Sequence, residues 1–201
     1  MKATLFTTLT SPFARKCRIA ITELRLSSQI SLSLVNPWTD ERLRAINPLC
    51  KVPTLLREDG TALYGSHVIV EYLASLSTSR ALIPVEGEAR WRALRLQAMV
   101  DDACSAAGRL YATKVNPASL DNSAAGTQRL RNAVLATLDQ LEAETLKTES
   151  WNLGDMSAVL LPAYYNFRFP EDNWRLRRPR LAAFVDAMEK LPAFRDNQFQ
   201  P

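Results

Sequence analysis

The sequence is poor in the residues that several common kinds of site require. Only one histidine, His67, occurs among the 201 residues, and the three cysteines, Cys17, Cys50 and Cys104, are far apart. Zinc sites take their ligands from closely spaced Cys and His residues, so we expect no bound metal. An odd number of dispersed cysteines is also typical of free thiols in a reducing compartment, and not of a disulfide framework.

Glycine and long apolar segments are scarce as well. Six glycines argue against an all-β protein with many tight turns, and no Gly-rich phosphate-binding loop occurs. No apolar run approaches the roughly 20 residues of a membrane helix, and residues 1–9 lack the features of a signal peptide. We therefore expect a cytoplasmic protein without a membrane partner. A net charge of +4 does not predict nucleic-acid binding, and the arginine-rich stretch 175–180 is interpreted as a solvated loop.

The first 78 residues combine strand and helix patterns. Ser11-Pro12 predicts a helix start, since serine is a good N-cap and proline is preferred at the first helical position. Alternating residues and turn signals predict short strands around it. The predicted strands are 2–8, 30–34, 52–56 and 61–64. The order β-α-β-α-β-β-α predicts a mixed four-stranded sheet with helices packed on it.

The pattern changes after Leu76. Residues 77–84 are polar and end in proline, which predicts a linker between a domain at 1–78 and a second domain at 85–201. Beyond this linker, apolar residues recur at spacings of three and four, as helices require. One helix start is marked by Asn152 with Asp155 three residues later, the pattern of a capping box. The fold class predicted is therefore an α/β domain followed by an all-α domain.

Three segments of the α/β domain are suited to an anionic peptide that carries a thiol. Ser11 and Ser66 are each predicted to be the N-cap of a helix, at a terminus where backbone N–H groups stabilise an anion. A hydroxyl such as that of Ser11 can donate a hydrogen bond to a thiolate, which lowers the pKa of the thiol. A cis Val52-Pro53 bond would expose the backbone of Val52 to a ligand lying alongside. Taken one at a time, these features are also what ordinary N-caps and a trans proline at a strand start would show.

Three sequence blocks and the Asn152 box carry a family resemblance. The blocks are Ser11-Pro12-Phe13 with Arg15-Lys16, residues 47–55 (NPLCKVPTL) and residues 63–73 (LYGSHVIVEYL). With these blocks the chain resembles the glutathione S-transferase family, in its serine-type bacterial members, along essentially its whole length. The resemblance implies a thioredoxin-like N-terminal domain, a helical C-terminal domain, a homodimer, and glutathione as a substrate used in detoxification.

The resemblance also implies roles for individual residues. Ser11 would stabilise the thiolate of glutathione for attack on a small hydrophobic electrophile. Val52, beside a cis Pro53, would pair its backbone with the cysteinyl part of glutathione. Lys51 would meet a glutathione carboxylate, and Ser66 would bind the γ-glutamyl carboxylate. The residues expected at the co-substrate pocket are Phe13, Tyr111 and Trp174, and Asp101 is expected to reach the glutathione of the partner subunit.

Gly65 departs from the family pattern, which usually has Glu or Asp before this serine. The acidic group neutralises the γ-glutamyl amino group, and losing such a hydrogen bond costs about 1.5–3 kcal/mol, or about 10- to 150-fold in affinity. Two alternatives to conjugation stay open, and Gly65 supports the first of them. One is a non-catalytic binding or protein-interaction module, and the other is a glutathione-dependent isomerase, which needs the same thiolate.

Cysteine chemistry is not expected at the site. Related thiol-transfer classes carry Cys at the position of Ser11, and serine cannot supply the nucleophilic thiolate that their mixed disulfides require. Cys17 is expected to face the core, and Cys50 is interpreted as a partly buried neighbour of the site. A triad built on His67 is not expected either, because this residue lies in the first turn of a helix.

Overall fold

The computed structural model of the chain describes residues 2–78, 81–116 and 123–201. By internal contacts the chain divides into two compact units, the first formed by Met1–Val85 with Leu191–Pro201 and the second by Glu86–Lys190. The division after Val85 directly follows the predicted linker, of which residues 79–80 lie outside the described residues. The segment Leu191–Pro201, expected in the helical domain, belongs instead to the first unit.

The first unit is built on a mixed sheet, as the sequence predicts. Its elements up to residue 85 are β1 (Ala3–Thr7), α1 (Pro12–Glu23), β2 (Ile30–Leu34), α2 (Glu41–Ile46), β3 (Thr54–Leu56), β4 (Ala62–Tyr64) and α3 (Ser66–Ser75). The four strands lie in the order β2-β1-β3-β4. β1 pairs parallel with β2 and antiparallel with β3, and β3 pairs antiparallel with β4.

Helices α1 and α3 cover the sheet and share its core. Leu5 of β1, Leu55 of β3 and Ile69 of α3 are fully buried. Burying an aliphatic side chain of this size contributes roughly 1.5–3 kcal/mol. The thiol of Cys17, also fully buried, donates a 3.9 Å hydrogen bond to the carbonyl of Ser66 and so joins α1 to the start of α3. Cys17 is therefore a core residue, as expected.

The second unit is helical throughout the part that the structure describes. Its helices are α4 (Gly87–Val115), α5 (Ala124–Ala143), α6 (Leu153–Arg168), a short 3-10 helix (Trp174–Arg177) and α7 (Pro179–Met188). α4 packs against both α5 and α6. A Cβ added at Gly154 would lie 2.9 Å from the Cα of Ala93, so the close approach of α6 to α4 requires glycine at this position.

The predicted capping box begins α6. The Oδ1 atom of Asn152 accepts from the backbone N–H of Gly154 (2.8 Å) and of Asp155 (3.4 Å). The fully buried carboxylate of Asp155 accepts in return from the backbone N–H of Asn152 (3.1 Å) and of Lys147 (3.2 Å), and lies 3.6 Å from Arg92. The box satisfies N–H groups that the first turn of any helix leaves unpaired.

One more helix, α8 (Pro192–Arg195), completes the first unit near the chain's end. It packs against α1, which lies far away in sequence. None of the described helices is long and apolar enough to cross a membrane.

We expect the Asp155→Ala variant to lower the free energy of unfolding by about 2–4 kcal/mol, because it leaves two part-buried N–H groups without their acceptor. It also removes one of the two carboxylates near Arg92, which keeps Glu144 and the Thr145 carbonyl. Asn152→Ala is expected to cost about 1 kcal/mol, as for other lost N-caps. Urea denaturation followed by circular dichroism measures both. Glu149→Ala, an exposed neighbour, is the control and should stay within about 0.5 kcal/mol of the parent. Equal effects at Glu149 and Asp155 would show that the box does not stabilise the start of α6.

Candidate functional site

The register of the sheet brings three separate segments to one end of it. Phe6 of β1 is opposite Thr54 of β3, and Thr54 is opposite Tyr64 of β4. β1 leaves the sheet just beyond Phe6, β3 enters just before Thr54, and β4 leaves directly after Tyr64. The segments that follow or precede these residues are the loop to Ser11, the stretch 51–53 and the Gly65-Ser66 pair. The three segments singled out in the sequence therefore adjoin the same end of the sheet.

Ser11 is the N-cap of α1. Its Oγ atom accepts a 3.2 Å hydrogen bond from the backbone N–H of Ala14, and Pro12 occupies the first helical position. Because the oxygen acts as the acceptor in this bond, the hydroxyl hydrogen can be donated to another group. The side chain is half-buried at the positive end of the helix dipole. Ser11 is thus placed to donate to an anion.

The peptide bond between Val52 and Pro53 is cis, as expected. A hydrogen-bond network around a buried asparagine holds the loop that leads to it. The Nδ2 atom of Asn47 donates to the Lys51 carbonyl (3.1 Å) and to the Thr54 hydroxyl (2.8 Å), and its Oδ1 accepts from the Leu49 N–H (2.9 Å). The Thr54 hydroxyl donates to the same Lys51 carbonyl at 2.8 Å. The backbone before Val52 is therefore fixed from two sides.

Asn47 and Thr54 were not identified as site residues from sequence. The signal that could have found them is the pairing of a turn asparagine with a threonine seven residues later, across a proline. Neither residue carries reactive chemistry, and their role is to hold Lys51 and Val52 in place. Cys50 lies between them with a φ of 50°. This left-handed conformation is one that glycine adopts more readily than other residues.

A cleft of about 490 Å³ lies beside this loop. It is lined by Pro37, Trp38, Arg44, Leu49, Cys50, Lys51 and Val52. Its volume is within the range of small-molecule sites. Trp38 is 86% exposed and Lys51 is also exposed, so an aromatic ring and a cation are both available to a ligand. Trp38 and Arg44 are further site candidates that were not identified from sequence, since a single Trp after a turn carries no pattern.

The serine at the start of α3 differs from the expectation in one respect. Ser66 is buried and is the first residue of the helix, while Gly65 holds the N-cap position without a side-chain hydrogen bond. Ser66 is therefore not the cap, because the chain turns into the helix one residue earlier. Gly65 has a φ of 86°, and a Cβ added there would lie 3.0 Å from the His67 ring. The exposed His67 thus stands beside the position where the family usually has an acid.

Four more residues were expected to contact the co-substrate or the partner's glutathione, and they differ in how deeply they are buried. Phe13 of α1 is half-buried in the first unit. Tyr111 of α4 is half-buried in the second unit, where the Arg168 guanidinium lies 4.2 Å from the centre of its ring. Trp174 is only 4% exposed, and its burial in the helical core does not favour contact with a ligand. Asp101 is half-buried on α4.

Metal ligation has no support in the part of the chain that the structure describes. There, no three His, Cys, Asp or Glu side chains are arranged to hold an ion. The donors at the end of the sheet are hydroxyls, backbone groups and cations. This set of hydrogen-bond donors and cations is suited to an organic anion.

We expect Asn47→Ala to lower the free energy of unfolding by about 2–3 kcal/mol, because the Leu49 N–H and the Lys51 carbonyl lose a buried partner. Hydrogen–deuterium exchange should also rise in residues 47–54. Asn132→Ala on α5, which removes an exposed amide that accepts from Gln128, is the matched control and should change neither measurement. Unchanged exchange in Asn47→Ala would show that the network does not order this loop.

Comparisons with known proteins agree with this geometry. A family model described as the N-terminal domain of glutathione S-transferase matches residues 10–76. The uncharacterized GST-like protein YibF of Escherichia coli strain K12 is 30% identical over 192 residues, 92% of this chain and 93% of the relative. A glutathione transferase family member from Pseudomonas fluorescens Pf-5, solved with bound glutathione, matches with a TM-score of 0.93 at 29% identity, covering all of both chains.

A second solved structure supports the same assignment. The glutathione S-transferase of Methylobacillus flagellatus KT, with glutathione bound, has a TM-score of 0.90 at 28% identity, over 98% of this chain and 99% of that one. These similarities confirm the thioredoxin-like N-terminal domain and the helical C-terminal domain that the sequence predicts. From the shared topology, the cis proline and the similarity along the whole chain, we conclude that this protein belongs to the glutathione S-transferase family.

Proposed function

We propose that the protein is a glutathione transferase that uses the Ser11 hydroxyl to stabilise the thiolate of glutathione for attack on a small electrophile. The observation that carries the proposal is the position of Ser11. Its oxygen caps α1 through the Ala14 N–H, its hydroxyl hydrogen is available to a ligand, and it adjoins the same end of the sheet as Val52 and Ser66. The bound glutathione of the Pseudomonas and Methylobacillus relatives supports the choice of ligand.

In this proposal Ser11 stabilises the negative charge of the glutathione thiolate. A hydrogen bond to the thiolate and the positive end of α1 both favour the deprotonated form, so the thiol's pKa falls below its usual value of about 8.5. More of the glutathione is then nucleophilic at neutral pH. The thiol proton leaves to solvent and the thiolate sulfur forms a bond to the electrophilic carbon. In a substitution, the bond from that carbon to its leaving group breaks and the leaving group departs as an anion, such as chloride from chlorodinitrobenzene, so no covalent bond to the protein is needed.

The rest of glutathione would lie along the loop and α3. In this proposal the backbone of Val52, beside cis Pro53, pairs with the cysteinyl residue, and Lys51 meets the glycyl carboxylate. Arg44, which lines the same cleft, adds a second cation near that carboxylate. The unpaired N–H groups of the first turn of α3, with the Ser66 hydroxyl, receive the γ-glutamyl carboxylate.

The electrophile and the assembly are further parts of the proposal. Phe13 and Tyr111 are half-buried and remain candidates for contact with a hydrophobic electrophile, with Asp101 directed to a partner's glutathione. We propose a homodimer acting in the cytoplasm, in detoxification. Trp174 is left out because its ring is buried.

The alternative is a family member that does not catalyse conjugation. The observation that favours it is Gly65, which offers no carboxylate to the γ-glutamyl amino group. A non-catalytic binding or protein-interaction module would then show no glutathione binding at millimolar concentration. A glutathione-dependent isomerase would bind glutathione and lower its thiol pKa, but would release it unchanged, so product analysis separates it from a conjugating enzyme.

The first test is calorimetric titration of glutathione, followed by Ser11→Ala. We expect binding between micromolar and low millimolar concentration, and a loss of turnover of about 100-fold in Ser11→Ala with electrophile probes such as chlorodinitrobenzene, because one donor to the reacting charge is removed. In Ser11→Ala, the pH at which half of the bound glutathione is thiolate, measured by ultraviolet absorbance, should be higher than in the parent. Thr10→Val, which removes the neighbouring hydroxyl, is the control. Normal turnover and an unchanged thiol pKa in Ser11→Ala would refute the role of Ser11.

The second test restores the missing acid. We expect Gly65→Glu to tighten glutathione binding by about 10-fold or more, through a charge-assisted hydrogen bond to the amino group. The same substitution should lower the free energy of unfolding by about 1–2 kcal/mol, because a residue with a side chain must then adopt the positive φ of position 65, with its Cβ close to the His67 ring. Gly65→Gln has the same shape without the charge and controls for the strain. Equal affinities of the Glu and Gln variants would mean that glutathione does not bind with its amino group at this position.

A further inference from the structure

The C-terminal segment of the first unit is held on α1 by two buried arginines. The Nε atom of Arg15 donates to the Asn197 carbonyl at 2.8 Å, and its Nη2 atom lies 3.4 Å from the Phe194 carbonyl. The Nη2 atom of Arg18 donates to the same Asn197 carbonyl at 3.5 Å. The Arg15 guanidinium also lies 4.8 Å from the centre of the Phe199 ring. We call residues 191–201 the C-terminal strap.

The Asn197 side chain makes further hydrogen bonds, one to α1 and one within the strap. Its Nδ2 atom donates to the Thr22 hydroxyl of α1 at 3.0 Å and to the Ala193 carbonyl at 2.8 Å. Asn197 is itself buried. One residue of the strap therefore contacts α1 through both its carbonyl and its amide.

Arg18 joins the strap to the loop that carries Ser11. Its Nη1 atom donates to the Thr8 carbonyl at 2.5 Å and to the Thr7 hydroxyl at 3.2 Å, at the point where β1 ends. Next along the chain, the Leu9 carbonyl accepts from the backbone N–H of Gln200 at 3.3 Å. Successive carbonyls of the loop are thus held by Arg18 and by the strap, two or three residues before Ser11.

The energetics of Arg18 point to a positional role. Its side chain is 3% exposed, and burial, with the neighbouring charge of Arg15, lowers its pKa to about 10. Its hydrogen-bond acceptors within the described residues are neutral oxygens, and none is a carboxylate. A buried charge with neutral partners is costly compared with an apolar side chain. The planar guanidinium, however, binds the end of β1 and the strap at the same time, through different nitrogen atoms, and so holds these two segments in one geometry.

We propose that Arg18 and the C-terminal strap position the Ser11 hydroxyl, so that the end of the chain controls how strongly the site stabilises a thiolate. Arg18 is a positioning residue here, since it acts through the Thr8 to Ser11 loop. The proposal rests on the proposed function of Ser11. It adds that the stabilisation of the thiolate by Ser11 depends on residues 197–200, which lie outside the three sequence blocks of the site.

The test compares Arg18→Met, Arg18→Lys and a deletion of residues 198–201, each in the 201-residue chain. Hydrogen–deuterium exchange in residues 8–15 should become roughly 10-fold faster in Arg18→Met and in the deletion, the order of magnitude expected for the loss of one charged hydrogen bond. Arg18→Lys should be intermediate, because an ammonium can bind the Thr8 carbonyl but cannot span to Asn197. Deletion of Pro201 alone and Arg25→Met, an exposed arginine after α1, are matched controls and should leave exchange unchanged.

A second measurement separates positioning from mere stability. The thiol pKa of bound glutathione, read from thiolate absorbance against pH, should rise by about one unit in Arg18→Met and partly recover in Arg18→Lys. Val134→Ala in α5 lowers stability without touching the strap, and should leave this pKa unchanged.

The outcomes are distinguishable. Unchanged exchange in residues 8–15 of Arg18→Met and of the deletion would overturn the inference, whatever the protein does with glutathione. So would faster exchange with an unchanged thiol pKa, provided that the parent protein lowers that pKa. If the parent itself does not lower the pKa, the proposed function of Ser11 fails, while the exchange data still decide whether the strap orders the loop.

Discussion

The pairing of β1 with its two neighbours is the constraint on which the rest of the molecule depends. β1 is an inner strand, parallel to β2 on one side and antiparallel to β3 on the other. Leu5 and Leu55 are opposite each other and both are fully buried, and a slip of one residue between β1 and β3 would turn one of them away from the core, so this register is strongly specified. That register in turn decides which chain segments meet at the end of the sheet. The site is thus a consequence of how an apolar core is filled.

Local features of the site could be predicted from sequence because their causes are local. Ser11-Pro12 and the Asn152 box each satisfy N–H groups within three residues of themselves, and both are present as predicted. The bond before Pro53 is cis, as the family resemblance implied, whereas the residues around it had left a trans proline equally open. At Ser66 the prediction failed by one residue, because Gly65 with its positive φ allows the chain to enter α3 earlier than a serine cap would.

Features that depend on distant contacts could not be predicted in this way. Asn47 is buried and donates to Thr54 and to the Lys51 carbonyl, and the spacing of a turn asparagine from a threonine across a proline is too weak a signal to identify this network. The assignment of residues 191–201 to the helical domain followed their order in the sequence. The structure places them with α1 instead, since Arg15 and Arg18 bind their carbonyls across about 180 positions of the chain.

The neutral acceptors of Arg18 have a consequence for the conditions under which the fold works. Ion pairs at a surface weaken with added salt, and those made by carboxylates are lost when acid protonates them. The carbonyls of Thr8 and Asn197 carry no net charge to be screened by salt, and acid does not protonate them. The guanidinium that binds them is buried and keeps its proton well above neutral pH. The link between the chain's end and the loop before Ser11 is therefore insulated from ionic strength and from acidification, whereas the exposed pairs on the helical unit, such as Lys114 with Glu171, are not.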